Sequence, residues 1–118
     1  MSERHWRLFA QDMLDSIGKI HQYTQGMSYD EFVRDSKTLD AVYRNLEIIG
    51  EAARRIPESV QEQYSDVPWA QIVALRNRLA HTYFAVDETI IWDIVQNDLP
   101  SLETRLKATL NQQTEDSS

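Results

Sequence analysis

The stretch LDAVYRNLEIIGEAARRIP, residues 39–57, carries apolar side chains at intervals of three and four residues. This period places them along one face of an α-helix, while most of the charged residues between them fall on the other face. Pro57 ends the pattern because proline has no backbone N–H and its ring clashes with the preceding turn of a helix. The stretch therefore predicts a long amphipathic helix whose buried face is formed by Leu39, Val42, Leu46, Ile49, Ala53 and Ile56.

A second apolar stripe lies closer to the N-terminus and predicts a helix from about residue 3 to about residue 23. Gly26 is expected to stop this helix, because glycine readily adopts the left-handed conformation that often ends helices. Ser28 and Glu31 have the spacing of a capping box, which begins a short helical turn. Asp35 or Ser36 is then the expected cap of the helix that ends at Pro57. The stripe consists of Trp6, Phe9, Met13, Ile17 and Ile20.

Two further helices are predicted in the second half of the chain. A short helical turn follows Pro57, and Pro68 fits the first position of the next helix. Asp87 is the predicted cap of a last helix, which Pro100 should kink. No segment shows the sustained alternation of a strand, so four main helices with short connections predict an all-α, antiparallel bundle of the four-helix type. The stripe of the last helix is Ile91, Ile94, Val95, Leu102, Leu106 and Leu110.

The composition limits the class of protein. A length of 118 residues suits one domain, which we place at residues 1–110, followed by a disordered polar tail at residues 111–118. The chain has no cysteine, which excludes disulfides and thiolate metal sites and favours a cytoplasmic location. We expect no signal peptide and no membrane span. The formal net charge of −7 argues against broad, non-specific binding of nucleic acid, although it allows a local basic cleft.

Residues 75–83, LRNRLAHTY, concentrate polar groups on one part of a predicted helix and are called the motif segment below. On a helical wheel Asn77 lies about 100° and His81 about 140° from Arg76, and Tyr83 lies close to Arg76. Leu75 and its neighbours at helical spacing lie on the other side and supply a core-facing stripe. The motif segment therefore presents an arginine, an asparagine and a histidine on one arc.

Apolar residues are interleaved with this polar arc, at Val73, Ala80 and Phe84. A helix face that only meets solvent would not need them, so this helix is expected to be covered on two sides. A second copy of the chain is the simplest candidate for covering the second side of this helix. We therefore expect a two-fold homodimer whose axis passes near the motif segment and which supplies its arginine and histidine twice.

The side chains of the polar arc suit cleavage of an RNA phosphodiester by the neighbouring 2′-hydroxyl. Arg76 offers a planar fork of donors for phosphate oxygens, and His81 can give or take a proton near neutral pH. Asn77 can orient the histidine or donate to phosphate. Such a reaction needs no metal and no cofactor, and the chain's three histidines are far apart in sequence. Spacing alone leaves the alternative open that His81 caps carbonyls and that the arginines are merely solvated.

The stretch RNRLAHTY resembles the R-x4-H-x-Y signature of HepT-like ribonuclease toxins, a branch of the HEPN superfamily. The segments RNLEIIGEAARRIP, DVPWAQIVALRN and VDETIIWDIVQNDLP are also similar, and they keep their order along the chain. The resemblance implies a HEPN-like helical domain that dimerises, with Arg76 and His81 as the catalytic pair and Asn77 as a supporting group. It also implies a metal-independent endoribonuclease acting on RNA, with tRNA among the candidate substrates.

The resemblance further implies a partner and a means of control. HepT-like toxins of type VII-like toxin–antitoxin pairs are neutralised by a small nucleotidyltransferase of the MntA type, which attaches AMP to the motif tyrosine, here Tyr83. The alternative is a non-catalytic helical adaptor that binds a nucleotidyltransferase. The intact Arg76–His81 pair favours the enzyme, whereas the acidic net charge favours the adaptor. Outside the motif segment, Arg44, Asn45, Glu47 and Glu51 are expected on a solvated face, and Arg54 and Arg55 near a helix C-terminus.

Overall fold

Helices form all the regular secondary structure in a computed structural model that describes residues 3–75, 77–79 and 88–116. Side chains are described for residues 5–75, 77–79 and 88–111. The all-α bundle predicted from the sequence is confirmed. Its elements are α1 (Glu3–Thr24), α2 (Tyr29–Arg34), α3 (Ser36–Arg54), α4 (Glu58–Gln63), α5 (Trp69–Val73), α6 (Glu88–Asp93), a π-helical turn (Ile94–Asp98) and α7 (Leu99–Asp116). Leu75 and residues 77–79 are helical as well.

Local capping fixes the boundaries of the first three helices. Gly26 has a φ of 78°, which confirms that it follows the end of α1 in a left-handed conformation. The Ser28 hydroxyl accepts a hydrogen bond from the Glu31 N–H, and the Glu31 carboxylate accepts one from the Ser28 N–H, so the predicted capping box is present. Asp35 caps α3 by accepting from the Thr38 N–H at 3.1 Å. These bonds, chiefly to the backbone of Ser28 and Thr38, hold the pKa values of Glu31 and Asp35 below their ordinary range.

The core forms where α3 packs along α1. Helix α3 also contacts α2 and α5, and α7 contacts α1 and the π-helical turn. Phe32 of α2 is fully buried, and its ring centroid lies 5.0 Å from that of Trp92 in α6. The apolar stripes predicted from the sequence are therefore the surfaces that meet in the core. Its largest fully buried side chains are Phe32, Met13, Ile20, Leu46, Ile49, Leu79, Ile94, Leu106, Val42 and Val67.

The helical stretch from Glu88 to Asp116 is irregular just before Pro100. Residues Ile94–Asp98 form a π-helical turn, and the Leu99 N–H donates to the Ile94 carbonyl, five residues earlier. Proline cannot donate a backbone hydrogen bond, and its ring crowds the preceding turn. A wider π turn accommodates both effects within a continuous helical stretch. The hydrogen-bond register thus changes in the turn before Pro100, and the kink of the helix axis stays a prediction.

The end of the chain differs from the sequence-based expectation. We expected residues 111–118 to be disordered, whereas α7 continues to Asp116. The segment NQQTED contains neither glycine nor proline, and extending an existing helix costs far less than starting a new one. None of the described helices combines the length and the apolar character that a membrane span requires.

Candidate functional site

The described part of the motif segment continues the helical path that begins at Trp69. The Ala74 N–H donates to the Ala70 carbonyl, and the Arg78 N–H donates to the Ala74 carbonyl, both at 3.0 Å. Leu75 and Leu79 are 6% and 1% exposed, as the helical wheel predicted. Leu75 and Leu79 thus form the buried side of this helix, whereas Asn77 and Arg78 are exposed.

One of the four predicted site residues falls within the described part of the chain. Asn77 is helical and exposed, so its amide is accessible to a ligand. Val73, predicted to lie within the same arc, is half-buried. Outside the described residues lie Arg76, His81 and Tyr83, together with Ala80, Phe84 and the predicted cap Asp87.

Side-chain hydrogen bonds from Trp69 and Tyr43 hold the helix of the motif segment in place. The indole N–H of Trp69 donates to the Tyr64 carbonyl at 3.0 Å, which fixes the beginning of the helix against the loop after α4. The Tyr43 hydroxyl donates to the Leu79 carbonyl at 3.2 Å and so joins α3 to the motif segment. Leu79 lies two residues before His81, so Tyr43 contacts the backbone close to a predicted catalytic position. Periodicity gave no sign of this role of Tyr43, because a contact between residues 36 positions apart leaves no periodic signal.

Asn45 corrects one expectation for α3. The sequence placed it on a solvated face with Arg44, whereas it is 7% exposed. Its Nδ2 donates to the Ala41 carbonyl at 2.9 Å, which gives the buried amide a partner inside its own helix. An asparagine next to an arginine in sequence lies about 100° from it on the helix, so the two side chains need not share an environment.

The C-terminal end of α3 carries a small ionic cluster. The Glu51 carboxylate lies 2.8 Å from Arg54 Nη2 and 3.3 Å from Arg55 Nε. The hydrogen bond from Arg54 is the main cause of a lowered pKa of Glu51, and the same contact raises the pKa of Arg54. All three side chains are at least one-third exposed, so solvent screens the pairs and their contribution to stability is small. Glu51 thus pairs with arginines of its own helix.

Potential metal ligands are dispersed over the described surface. His5 and His21 are both exposed. Among the residues whose positions are described, no group of three or more histidine, aspartate or glutamate side chains is placed to hold a metal ion. These residues therefore assign no metal ligand.

Comparison with known proteins identifies the family. The family model described as "Ribonuclease HepT-like" matches residues 13–109, a range that contains the whole motif segment. A Methanocaldococcus jannaschii protein named "Putative RNase MJ0127" is 43% identical over 101 residues, which are 86% of this chain and 84% of that protein. The Thermococcus cleftensis protein named "Probable ribonuclease HepT" is 34% identical over 105 residues, covering 89% of this chain and 96% of that protein. No solved structure matches the chain. Its sequence places it, over nearly its whole length, in the HepT-like ribonuclease family.

Proposed function

We propose that this protein is a metal-independent endoribonuclease. The observation that carries the proposal is the family match over residues 13–109, within which the R-x4-H-x-Y pattern is complete at Arg76, His81 and Tyr83. The buried Leu75 and Leu79 support it, because they are the positions that should face the core if the polar arc faces outward. The substrate class is RNA, since the reaction uses the ribose 2′-hydroxyl.

The proposed reaction is a transesterification within the RNA strand. His81 removes the proton from the 2′-hydroxyl, and O2′ then forms a bond to the adjacent phosphorus. Arg76 stabilises the charge that develops on the phosphate oxygens, and Asn77 donates a further hydrogen bond. The bond from phosphorus to the 5′ oxygen breaks, and a second proton carrier protonates that leaving oxygen. The products are a 2′,3′-cyclic phosphate and a 5′-hydroxyl.

A homodimer supplies the second proton carrier in this scheme. Each chain has a single histidine in the motif segment. Cleavage by a general acid and a general base works best with two proton carriers. A two-fold axis near the segment brings the partner's His81 and the partner's Arg76 into the same cleft. The half-buried Val73 belongs to the apolar residues of this proposed interface.

We also propose that the enzyme is a cytoplasmic toxin held in check by a cognate nucleotidyltransferase of the MntA type. In this scheme the antitoxin attaches AMP to Tyr83, two residues after His81 in the sequence. The basis is the resemblance of residues 76–83 to the motif of HepT-like toxins. A charged nucleotide attached beside the catalytic pair would obstruct both phosphate binding and access to the cleft.

The proposed chemistry is tested with a single-stranded RNA oligonucleotide and the purified chain without its antitoxin. We expect cleavage in excess EDTA, with a 2′,3′-cyclic phosphate on the 5′ fragment identified by mass spectrometry. Replacing the single ribose at the cut site by 2′-deoxyribose should abolish cleavage there and leave other sites cut, which serves as the internal control. Cleavage at the deoxy position, or activity that EDTA removes and added magnesium restores, would contradict the mechanism.

The second candidate function is a non-catalytic adaptor that binds a nucleotidyltransferase. The net charge of −7 favours it, because an acidic protein repels RNA at long range. The same preparation distinguishes the two candidates. The adaptor would bind the transferase and leave every RNA uncut, whereas the enzyme cuts RNA on its own.

Tyr43 is expected to position the motif segment for this reaction. Replacing Tyr43 by phenylalanine keeps the ring and removes the hydrogen bond to the Leu79 carbonyl. Because small displacements of catalytic groups are costly, we expect kcat for RNA cleavage to fall about tenfold with little change in KM. Tyr64→Phe is the matched control, since it removes another partly buried tyrosine hydroxyl, at the end of α4. If both variants lose the same stability in thermal unfolding and the same activity, Tyr43 has only a structural role.

A further inference from the structure

A groove of about 350 Å³ runs beside the motif segment and is called the flanking groove here. It lies between residues 68–78 on one side and residues 94–105 on the other. Cavities of this size are at the lower end of the range that binds small ligands. Its apolar lining comes mainly from Ile72, Leu75, Ile94, Leu99 and Leu102, all of them buried residues.

The polar lining of the flanking groove favours an anion. Arg78 and Arg105 contribute two guanidinium groups, against the single carboxylate of Asp98. Neutral groups from Gln71, Asn97 and Ser101 can donate further hydrogen bonds. The groove between α1 and α3 has the opposite balance, because three carboxylates there face the guanidinium groups of two arginines. On a protein with a net charge of −7, the flanking groove is therefore a locally basic surface.

Arg78 connects the flanking groove with the motif segment. This residue is exposed, and its N–H bond to the Ala74 carbonyl places it on the helix of the motif segment. His81 follows it by three residues in the sequence. On the helical wheel of the predicted helix, His81 lies about 60° from Arg78, whereas Arg76 lies about 160° from it. The flanking groove is therefore expected on the histidine's flank of the motif segment and outside the arc of Arg76.

The opposite wall of the groove is built by α7 and the π-helical turn. Arg105 Nη1 donates to the Asp66 carbonyl, and Arg105 also lines the groove. A guanidinium has five N–H donors, so Arg105 can keep this bond and still donate to a phosphate oxygen. The π-helical turn carries Asn97 and Asp98 into the lining, and π turns of this kind are frequent at functional sites.

We propose that the flanking groove binds a nucleotide of the RNA substrate outside the catalytic cleft. Arg78 and Arg105 bind its phosphate, and the apolar floor packs against its base. Asp98 accepts a hydrogen bond from its ribose 2′-hydroxyl, which gives the groove a preference for RNA over DNA. This assignment rests on the proposed ribonuclease function. It adds a subsite and explains how an acidic protein holds RNA.

The test measures binding rather than cleavage, so that its outcome does not depend on turnover. A fluorescent single-stranded RNA of about ten nucleotides is titrated with the His81→Ala protein, which leaves the RNA intact. Adding Arg78→Gln or Arg105→Gln to this protein is expected to raise Kd for the RNA about tenfold, as for loss of a charged hydrogen bond. The slope of log Kd against the logarithm of the salt concentration should fall by about one. Adding Arg78→Lys should weaken binding less, because lysine keeps the charge but loses the planar fork.

Lys107→Gln is the matched control. It removes a cation from the same helix as Arg105, at a residue that does not line the flanking groove. The Lys107 side chain is 61% exposed, and its Nζ lies 3.8 Å from Glu103 Oε2. We expect it to leave Kd within about twofold of the His81→Ala protein. Asp98→Asn should reduce the preference for RNA over DNA of the same sequence. Thermal unfolding of each variant confirms that the comparison is made between folded proteins.

Two results would overturn the assignment. The first is RNA binding that responds no more to Arg78 and Arg105 than to Lys107. The second is binding of AMP alone with the same dependence on both arginines and no binding of RNA, which would make a free nucleotide the ligand. If the His81→Ala protein binds RNA through the groove but the parent chain never cleaves it, the subsite stands and the ribonuclease proposal fails.

Discussion

Replacing His81 by alanine is expected to lower the rate of RNA cleavage by about 10²- to 10⁴-fold, the usual contribution of a positioned general acid or base. In the proposed reaction His81 of one protomer removes the 2′-hydroxyl proton of the RNA. The partner's His81 protonates the leaving oxygen. The loss should therefore appear in kcat, with a smaller effect on KM. Single-turnover cleavage of a labelled RNA, at a saturating concentration of the protein, measures it directly.

Two comparisons make this experiment specific. Imidazole added to the His81→Ala protein should restore part of the activity, because a diffusing base can replace the missing one, whereas a misfolded protein would not respond. Arg76→Ala should lose as much activity and show no such rescue, since its role is to stabilise charge rather than to transfer a proton. Both variants should keep the helical circular dichroism and thermal transition of the parent. A His81→Ala protein that cleaves at the parental rate would remove the basis of the mechanism.

The same samples test the dimer on which the two-histidine scheme depends. Light scattering at micromolar concentration is expected to give twice the mass of one chain, for the parent and for both variants. A monomer that cleaves RNA at full rate would show that a single histidine suffices. The proposed interface near Val73 would then have no catalytic role.

Sequence alone was sufficient for the features of the fold that local physical chemistry controls. The apolar period of residues 39–57 predicted α3. Gly26 predicted the end of α1, and the capping box at Ser28 predicted the beginning of α2. Each of these signals involves residues within one or two helical turns of each other. Their energies do not depend on the rest of the chain, so they can be recognised before the fold is known.

Features that depend on packing were harder to predict. Asn45 was assigned to solvent but lies in the interior, because the direction that α3 presents to α1 is set by the whole bundle. Pro100 was expected to kink its helix, and a π-helical turn precedes it, since a helix can relieve the same clash in more than one way. The polar tail was expected to be disordered, but helix α7 runs through it to Asp116. In each case the residue type indicated a local preference, and the neighbouring residues decided the burial or the helix geometry that resulted.

The same difference between local sequence patterns and contacts made by packing applies to the candidate site. The types and spacing of Arg76, Asn77 and His81 indicated phosphate chemistry, and resemblance rather than periodicity supplied the family. The contact of Tyr43 with the Leu79 carbonyl joins two helices, and the flanking groove brings Arg78 of one segment to Arg105 of another. No pattern along the chain predicts such pairs, because their members are separated by tens of residues.

Attachment of AMP to Tyr83 is expected to silence the enzyme as completely as the loss of His81. On a helix Tyr83 lies about 20° from Arg76 on the wheel, so a nucleotide on its hydroxyl would carry a phosphodiester anion close to that arginine. The anion would compete with RNA phosphate for the guanidinium, and the nucleoside would occupy the entrance to the cleft. One modification would therefore weaken substrate binding and obstruct the chemistry together.

Co-expression with the cognate nucleotidyltransferase tests this control. Intact-mass measurement is expected to show an adenylyl increment on the parent chain and none on Tyr83→Phe. Because phenylalanine keeps the ring and removes only the nucleophile, the Tyr83→Phe protein should stay active in the presence of the transferase. Tyr29→Phe is a suitable control, since Tyr29 is an exposed tyrosine of α2 that hydrogen-bonds Thr89 and should not affect the modification. If Tyr83→Phe is modified and silenced as readily as the parent, the transferase acts on another residue, and the closeness of Tyr83 to His81 in the sequence has no regulatory meaning.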